Sequence, residues 1–108
     1  MPKIGERNYA QLDMVPIKVM GVKYEGRLSS WEAAKVDDVV ELKREPGNEH
    51  DSNAVGVHFA GKLAGYIPRE LARQVAKAID AYGQCLFGQL VKVDGESVWF
   101  KVLKPEEE

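Results

Sequence analysis

Apolar and polar residues alternate along this chain in six short tracts, and a single tract of helical period interrupts them. Val15, Ile17 and Val19 alternate with Pro16, Lys18 and Met20, which predicts a first strand. Pro16 near its start implies an edge or an entry point, since proline donates nothing to a sheet ladder. After the polar pair Asp37-Asp38, Val39, Val40 and Leu42 predict a second strand that runs to Arg44. Asn53, Val55, Val57 and Phe59 form a third, and Leu63, Gly65 and Ile67 a fourth, joined by a tight hairpin at Ala60-Gly61-Lys62. Gln84 to Val93 reads as a fifth. Val98, Phe100 and Val102 alternate with Trp99, Lys101 and Leu103 in a sixth. Both sides of that strand are apolar, as expected of one that closes a barrel or pairs centrally. Asp94-Gly95 between the last two strands is a strong hairpin signal.

The helical tract lies between strands 4 and 5. Leu71, Val75, Ala78, Ile79 and Tyr82 fall at spacings of three and four, one apolar stripe. Pro68 is placed at the first helical position and Gly83 at the left-handed C-terminal one. Glu25 to Lys35 reads as a loop with a short helical turn at Trp31–Ala34. The expected fold is mainly β, a small OB-like six-stranded β-barrel of Greek-key type with one α-helix between strands 4 and 5. The expected organisation is an N-terminal arm over 1–14, a barrel domain over 15–104 and an acidic tail over 105–108.

Composition narrows the function. A chain of 108 residues has room for one domain. No apolar run reaches the ~20 residues of a membrane span, so no membrane partner is expected. The N-terminal residues lack the apolar stretch of a secretory signal, which makes a cytoplasmic location the expectation. Cys85 is the single cysteine; it reads as a plain strand residue and rules out an internal disulfide. The net charge is −2, and setting aside the three terminal glutamates leaves 15 basic against 14 acidic residues. Any contact with nucleic acid must therefore be local, neutralising few phosphates at modest affinity.

Catalysis finds little support. The chain has no Gly-rich phosphate loop, no His-Glu-x-x-His and no serine in a nucleophile elbow. His58 reads as a solvent-facing strand residue, and no metal or cofactor is expected. Three other features carry binding chemistry. The turn 45–52 is dense in Asn and Asp, which fold loops through their own backbone. There Asp51 either only shapes the turn or also accepts a hydrogen bond from a ligand hydroxyl, with His50 offering a planar face or a proton. At the helix start, Arg69, Arg73 and Lys77 share one face. They form either a solvated surface or, with the free amides after Pro68, a phosphate site at Arg69. Finally, Tyr24 either caps the barrel or stacks on a base, with Lys23 and Arg27 meeting phosphates. Trp31 joins that loop or the core, and Trp99 is expected in the core.

In order and spacing, three segments resemble the HIRAN domain family over roughly residues 15–93. They are Gly21-Val22-Lys23-Tyr24-Glu25-Gly26-Arg27, then Arg44-Glu45-Pro46-x-Asn48-x-x-Asp51-x-Asn53-Ala54-Val55, then Gly65-Tyr66-Ile67-Pro68. That family occurs fused to chromatin-remodelling-type translocases, and in bacteria and phages as free-standing small proteins or fused to nuclease-like domains. The present chain looks like the free-standing type. The resemblance implies an OB-like barrel that binds single-stranded DNA, in some members preferring a free 3′ end. It implies that Lys23 and Tyr24 hold the terminal nucleotides and that Asp51 takes the 3′ hydroxyl. Asn48 matches a neighbouring polar turn residue, Tyr66 an aromatic or histidine position, and Arg69 a basic position that meets phosphate. His50 stands where DNA-end-binding members carry an aromatic residue, so stacking there is weaker. The expected function is a non-enzymatic single-stranded DNA binding module of DNA repair or replication, with a helicase, translocase or nuclease as an implied partner. The alternative is a protein-interaction adaptor that keeps the barrel without DNA binding; a hydrolase subunit ranks last.

Overall fold

The computed structural model describes residues 9–11, 16–83 and 85–105. Its strands are β1 (Tyr9–Gln11), β2 (Ile17–Lys18), β3 (Val39–Arg44), β4 (Val55–Phe59), β5 (Lys62–Tyr66), β6 (Leu86–Asp94) and β7 (Ser97–Pro105). A 3₁₀ segment, Tyr24–Trp31, follows β2, and helix α1 (Arg69–Tyr82) joins β5 to β6. The six expected strands are β2 to β7, and the helix falls between the fourth and fifth of them, as the alternation predicts. β1 lies within the stretch read as an arm, most of which is outside the described residues, as is the terminal run of glutamates.

All pairings are antiparallel, in the order β1-β7-β6-β3-β4-β5. The nine-residue β7 holds β6 along one edge; β2 pairs it at Trp99 and Phe100, and β1 at Leu103 to Pro105. The sheet curls until its far edge returns to this region. There Met20 and Tyr66 exchange two backbone hydrogen bonds, of 2.8 and 2.9 Å, while the Val19 amide donates to the Val98 carbonyl at 2.8 Å. Residues 17–20 thus tie β7 to β5 and close a strongly curled half-barrel.

Alternation places one side of every long strand inside. Val40 and Leu42 of β3, Val55 and Val57 of β4, and Val98, Phe100 and Val102 of β7 are buried. Helix α1 lays Ala72, Val75, Ala76 and Ile79 against the core. Two glycines make the curl possible. A Cβ on Gly88 would stand 2.6 Å from the Phe100 ring, so the ring fills the space that glycine leaves. A Cβ on Gly65 would stand 2.3 Å from Val19 Cγ1 and 2.8 Å from the Met20 carbonyl oxygen, where β5 meets the closing segment.

Several local expectations shift. Pro68 is the residue before the helix, at φ −53° and ψ 140°: its ring supplies the φ, but its extended ψ keeps it outside α1. Its carbonyl accepts the Leu71 and Ala72 amides at 2.9 and 3.0 Å. Gly83 ends the helix at φ 68°, donating to the Ile79 carbonyl, as expected. The stretch read as a loop winds into the 3₁₀ segment, with Gly26 at φ 74° and Ser29 Oγ donating to its carbonyl. Trp31 is core: its Nε1 donates to the Ala64 carbonyl at 3.0 Å, and its ring stacks on Phe59 with centroids 5.5 Å apart. Trp99, expected in the core, is only half-buried, paired across the sheet between Lys18 and Lys92. His58, expected to face solvent, is half-buried opposite a bulge at Ala64 of β5. Burial first, then Lys43, holds its pKa below the ordinary 6.5, while Glu41 and Glu45 oppose the shift.

Gly65→Ala is expected to cost about 1–3 kcal/mol, since the added methyl has backbone on one side and a buried valine on the other. Urea unfolding measures this; an unchanged midpoint would show that the closing segment is slack. The depressed His58 pKa means that the unfolded chain binds its proton at a higher pH than the folded one. Stability is therefore expected to fall as pH drops below 6.5, and to level off once the folded state also protonates. Unfolding of the protein and of His58→Gln, compared from about pH 5 to about pH 7.5, isolates this contribution. Parallel pH curves for the two proteins would contradict it.

Candidate nucleic-acid interface

The connection between β3 and β4 is built by its own polar side chains. Glu45 donates its amide to the Ala54 carbonyl at 2.9 Å, and the Asn48 amide donates to the Glu45 carbonyl at 3.0 Å, closing a turn around Pro46-Gly47. Gly47 does not take a positive φ, so Pro46 and this hydrogen bond set the turn rather than glycine's freedom. Asn48 Oδ1 accepts the amides of His50 (2.8 Å) and Asp51 (3.2 Å), and Asp51 Oδ1 accepts the Asn53 amide at 2.9 Å. These are Asx turns, the shaping role open to Asn and Asp from the sequence. They use one Asp51 oxygen. Oδ2 makes no hydrogen bond among the described residues and remains an acceptor at the surface.

Beside this loop runs a groove of about 390 Å³, lined by Arg27, Asn48, His50, Asp51, Ala54, Tyr66, Ile67, Arg69 and Ala72. Ala54, Ile67 and Ala72 are buried, an apolar floor; His50 and Arg69 are exposed, on the rim. Helix α1 begins at this groove with no side-chain cap, and the Leu71 and Ala72 amides already bond to the Pro68 carbonyl, which leaves those of Arg69 and Glu70 as the first of the helix. The fold thus sets a carboxylate, the start of a helix and two guanidinium groups around one concavity.

The remaining contacts fix the walls. The Arg27 guanidinium lies over the Tyr66 ring, 5.3 Å from its centroid, and Arg27 Nη1 donates to the Gly21 carbonyl at 3.3 Å. The Tyr66 hydroxyl donates to Glu45, at 3.0 Å to Oε1 and 3.2 Å to Oε2. Arg44 anchors the back of the loop: Nη1 pairs with Asp80 of α1 at 2.8 Å, and Nη2 donates to the Ser52 carbonyl at 2.9 Å.

Six of the residues singled out from the sequence, Arg27, Asn48, His50, Asp51, Tyr66 and Arg69, line this one groove. Lys23 instead lines a neighbouring groove of about 400 Å³ with Lys18, Met20 and Glu96, and its ammonium lies 3.7 Å from Glu96. Tyr24 opens the 3₁₀ segment; its side chain lies outside what the structure describes. Glu45 and Arg44 carry no role legible from the sequence, although both stand in the Arg44-Glu45-Pro46 segment. A carboxylate and a guanidinium next to a structured turn were the available signal. Among the described residues, no cluster of His, Cys, Asp and Glu could hold a metal ion, and no helix is long and apolar enough to cross a membrane.

Comparison with known proteins agrees with this architecture. A crystallised protein from Lactobacillus plantarum superposes with a TM-score of 0.79 at 26% identity, covering 93% of this chain and 100% of that one. The HIRAN domain of human HLTF superposes with a TM-score of 0.65 at 22% identity, covering 85% of this chain and 76% of that one, a likeness of fold. No curated protein matched. The sequence profile of the HIRAN domain matches residues 12–104, nearly the whole chain. The chain belongs to the HIRAN domain family, a family of DNA-binding modules.

Proposed function

We propose that this domain is a non-enzymatic module that holds the 3′-terminal nucleotides of single-stranded DNA in the groove between the 45–54 loop and the start of α1. The observation that carries the reading is the convergence there of an unspent carboxylate oxygen on Asp51 with the uncapped helix start, Arg69 and Arg27. A DNA end needs this pair of opposites: an acceptor for the terminal hydroxyl and, one nucleotide away, positive charge for the phosphate. Asp51 takes the hydroxyl. The α1 amides, Arg69 and Arg27 meet phosphate, while Lys23 in the adjacent groove meets one further along the strand. Tyr24 and the His50 ring contact bases; stacking on an aromatic ring contributes about 1–3 kcal/mol per base. Asn48 and Tyr66 frame the pocket.

The same arrangement implies discrimination. A terminal phosphate would place anion against anion at Asp51, whereas a hydroxyl donates to it. With few cations engaged, affinity is micromolar and only modestly salt-dependent. A module that marks a strand end suits an enzyme working at that end, such as a helicase, translocase or nuclease.

Titration of fluorescent single strands ending in a 3′ hydroxyl, a 3′ phosphate or a blocked group tests this. The hydroxyl end is expected to bind most tightly, Asp51→Ala to abolish that preference, and Tyr24→Ala to weaken all three by about tenfold, the scale of one lost base stack. Equal affinity for the three ends would remove end recognition. Absence of binding at low salt would replace DNA with a protein partner.

A further inference from the structure

We infer that Glu45 is the positioning residue of this groove, one carboxylate that orients both the hydroxyl-reading side and the phosphate-facing side. The inference rests on the proposed DNA-end reading for its consequence, and on hydrogen bonds alone for its geometry. Towards the loop, Glu45 Oε1 accepts from Asn48 Nδ2 at 3.2 Å. That bond fixes the Asn48 amide plane, so that Oδ1 faces the His50 and Asp51 amides at 2.8 and 3.2 Å. The backbone that carries the Asp51 carboxylate is therefore set through Asn48. Towards the sheet, the same carboxylate accepts the Tyr66 hydroxyl at 3.0 and 3.2 Å. This holds the ring on which the Arg27 guanidinium rests.

The strand opposite makes room for this carboxylate. A Cβ on Gly56 would stand 3.0 Å from Glu45 Oε2, so any larger residue there would crowd it. The chain connection is rigid as well: the Glu45 amide is bonded to Ala54, and its carbonyl to Asn48. The Tyr66 hydroxyl is committed to Glu45, so Tyr66 supports Arg27 rather than donating to a phosphate. Glu45 need not touch DNA. It keeps the acceptor and the cation at a fixed separation, which is what reading an end demands.

The test uses the whole chain in two measurements. Amide hydrogen exchange of the DNA-free protein reads positioning directly. Glu45→Ala is expected to speed exchange at His50 and Asp51 by about tenfold while Val55 and Val57 stay protected, and Glu45→Gln, which keeps an acceptor oxygen, to restore it. Titration with 3′-hydroxyl and 3′-phosphate strands reads the consequence. Glu45→Ala is expected to lower affinity by about tenfold and erase the end preference, while Tyr66→Phe weakens both strands alike by about threefold and keeps it. Adding Tyr66→Phe to Glu45→Ala should change nothing more. Unchanged exchange at His50 and Asp51 in Glu45→Ala, or full additivity of the two substitutions, overturns the inference. If the unsubstituted protein shows no end preference, the DNA-end reading fails and the exchange result alone decides the role of Glu45.

Discussion

Everything in this fold depends on bringing the free edge of β5 back to the segment that follows β2. A seven-stranded sheet of this size, left open, would expose a row of unpaired amides and carbonyls. Here the gap is spanned by the paired Met20 and Tyr66, a backbone bridge two hydrogen bonds wide among the described residues. It exists because Gly65 has no side chain to hold the strands apart. The bridge also positions the groove. Tyr66 is fixed by its own backbone at the bridge, Arg27 is drawn over its ring, and the next residues turn at Pro68 into α1. Barrel closure and groove formation are the same event seen from two sides.

The groove gathers both signs of charge around one concavity of a nearly neutral protein. Its cations are few: Arg27 is held by an aromatic ring and a carbonyl, and Arg69 stands exposed at the first turn of α1. Carboxylates stand close by, at Asp51 and, behind Tyr66, at Glu45. Under the proposed reading, such a mixture works against non-specific attraction to long polyanions and favours a ligand whose charge and hydroxyl fall in the right order. In that reading, directed hydrogen bonds rather than net charge carry the selectivity.

Much of this was legible along the chain. Period-two alternation marks a strand when one face is buried, and the six strands with side-chain patterns were read in place. β1 carries no such pattern: three residues held to β7 by backbone pairing leave no hydrophobic signature. The Ser- and Gly-containing stretch before Trp31 resembles a loop, and only its contacts with β5 wind it into 3₁₀ turns. The position of Pro68 was off by one residue because a proline ring serves the residue before a helix as readily as the first one within it. Turn chemistry made Asn48 and Asp51 visible. Glu45 was not, because its partners Asn48 and Tyr66 lie three and 21 residues away and meet only after the sheet curls. Nor could the sequence tell that Lys23 would point into the adjoining groove beside Glu96.

The narrowness of the Met20–Tyr66 contact has one more consequence. It is the seam of the molecule, the place where a transient opening would begin, and the groove lies along it. A ligand reaching from Arg27, just after the seam's first edge, to Arg69, just past its second, would act as a suture. Occupancy would then resist the opening motion, and by mass action the protein would be hardest to unzip when its groove is filled.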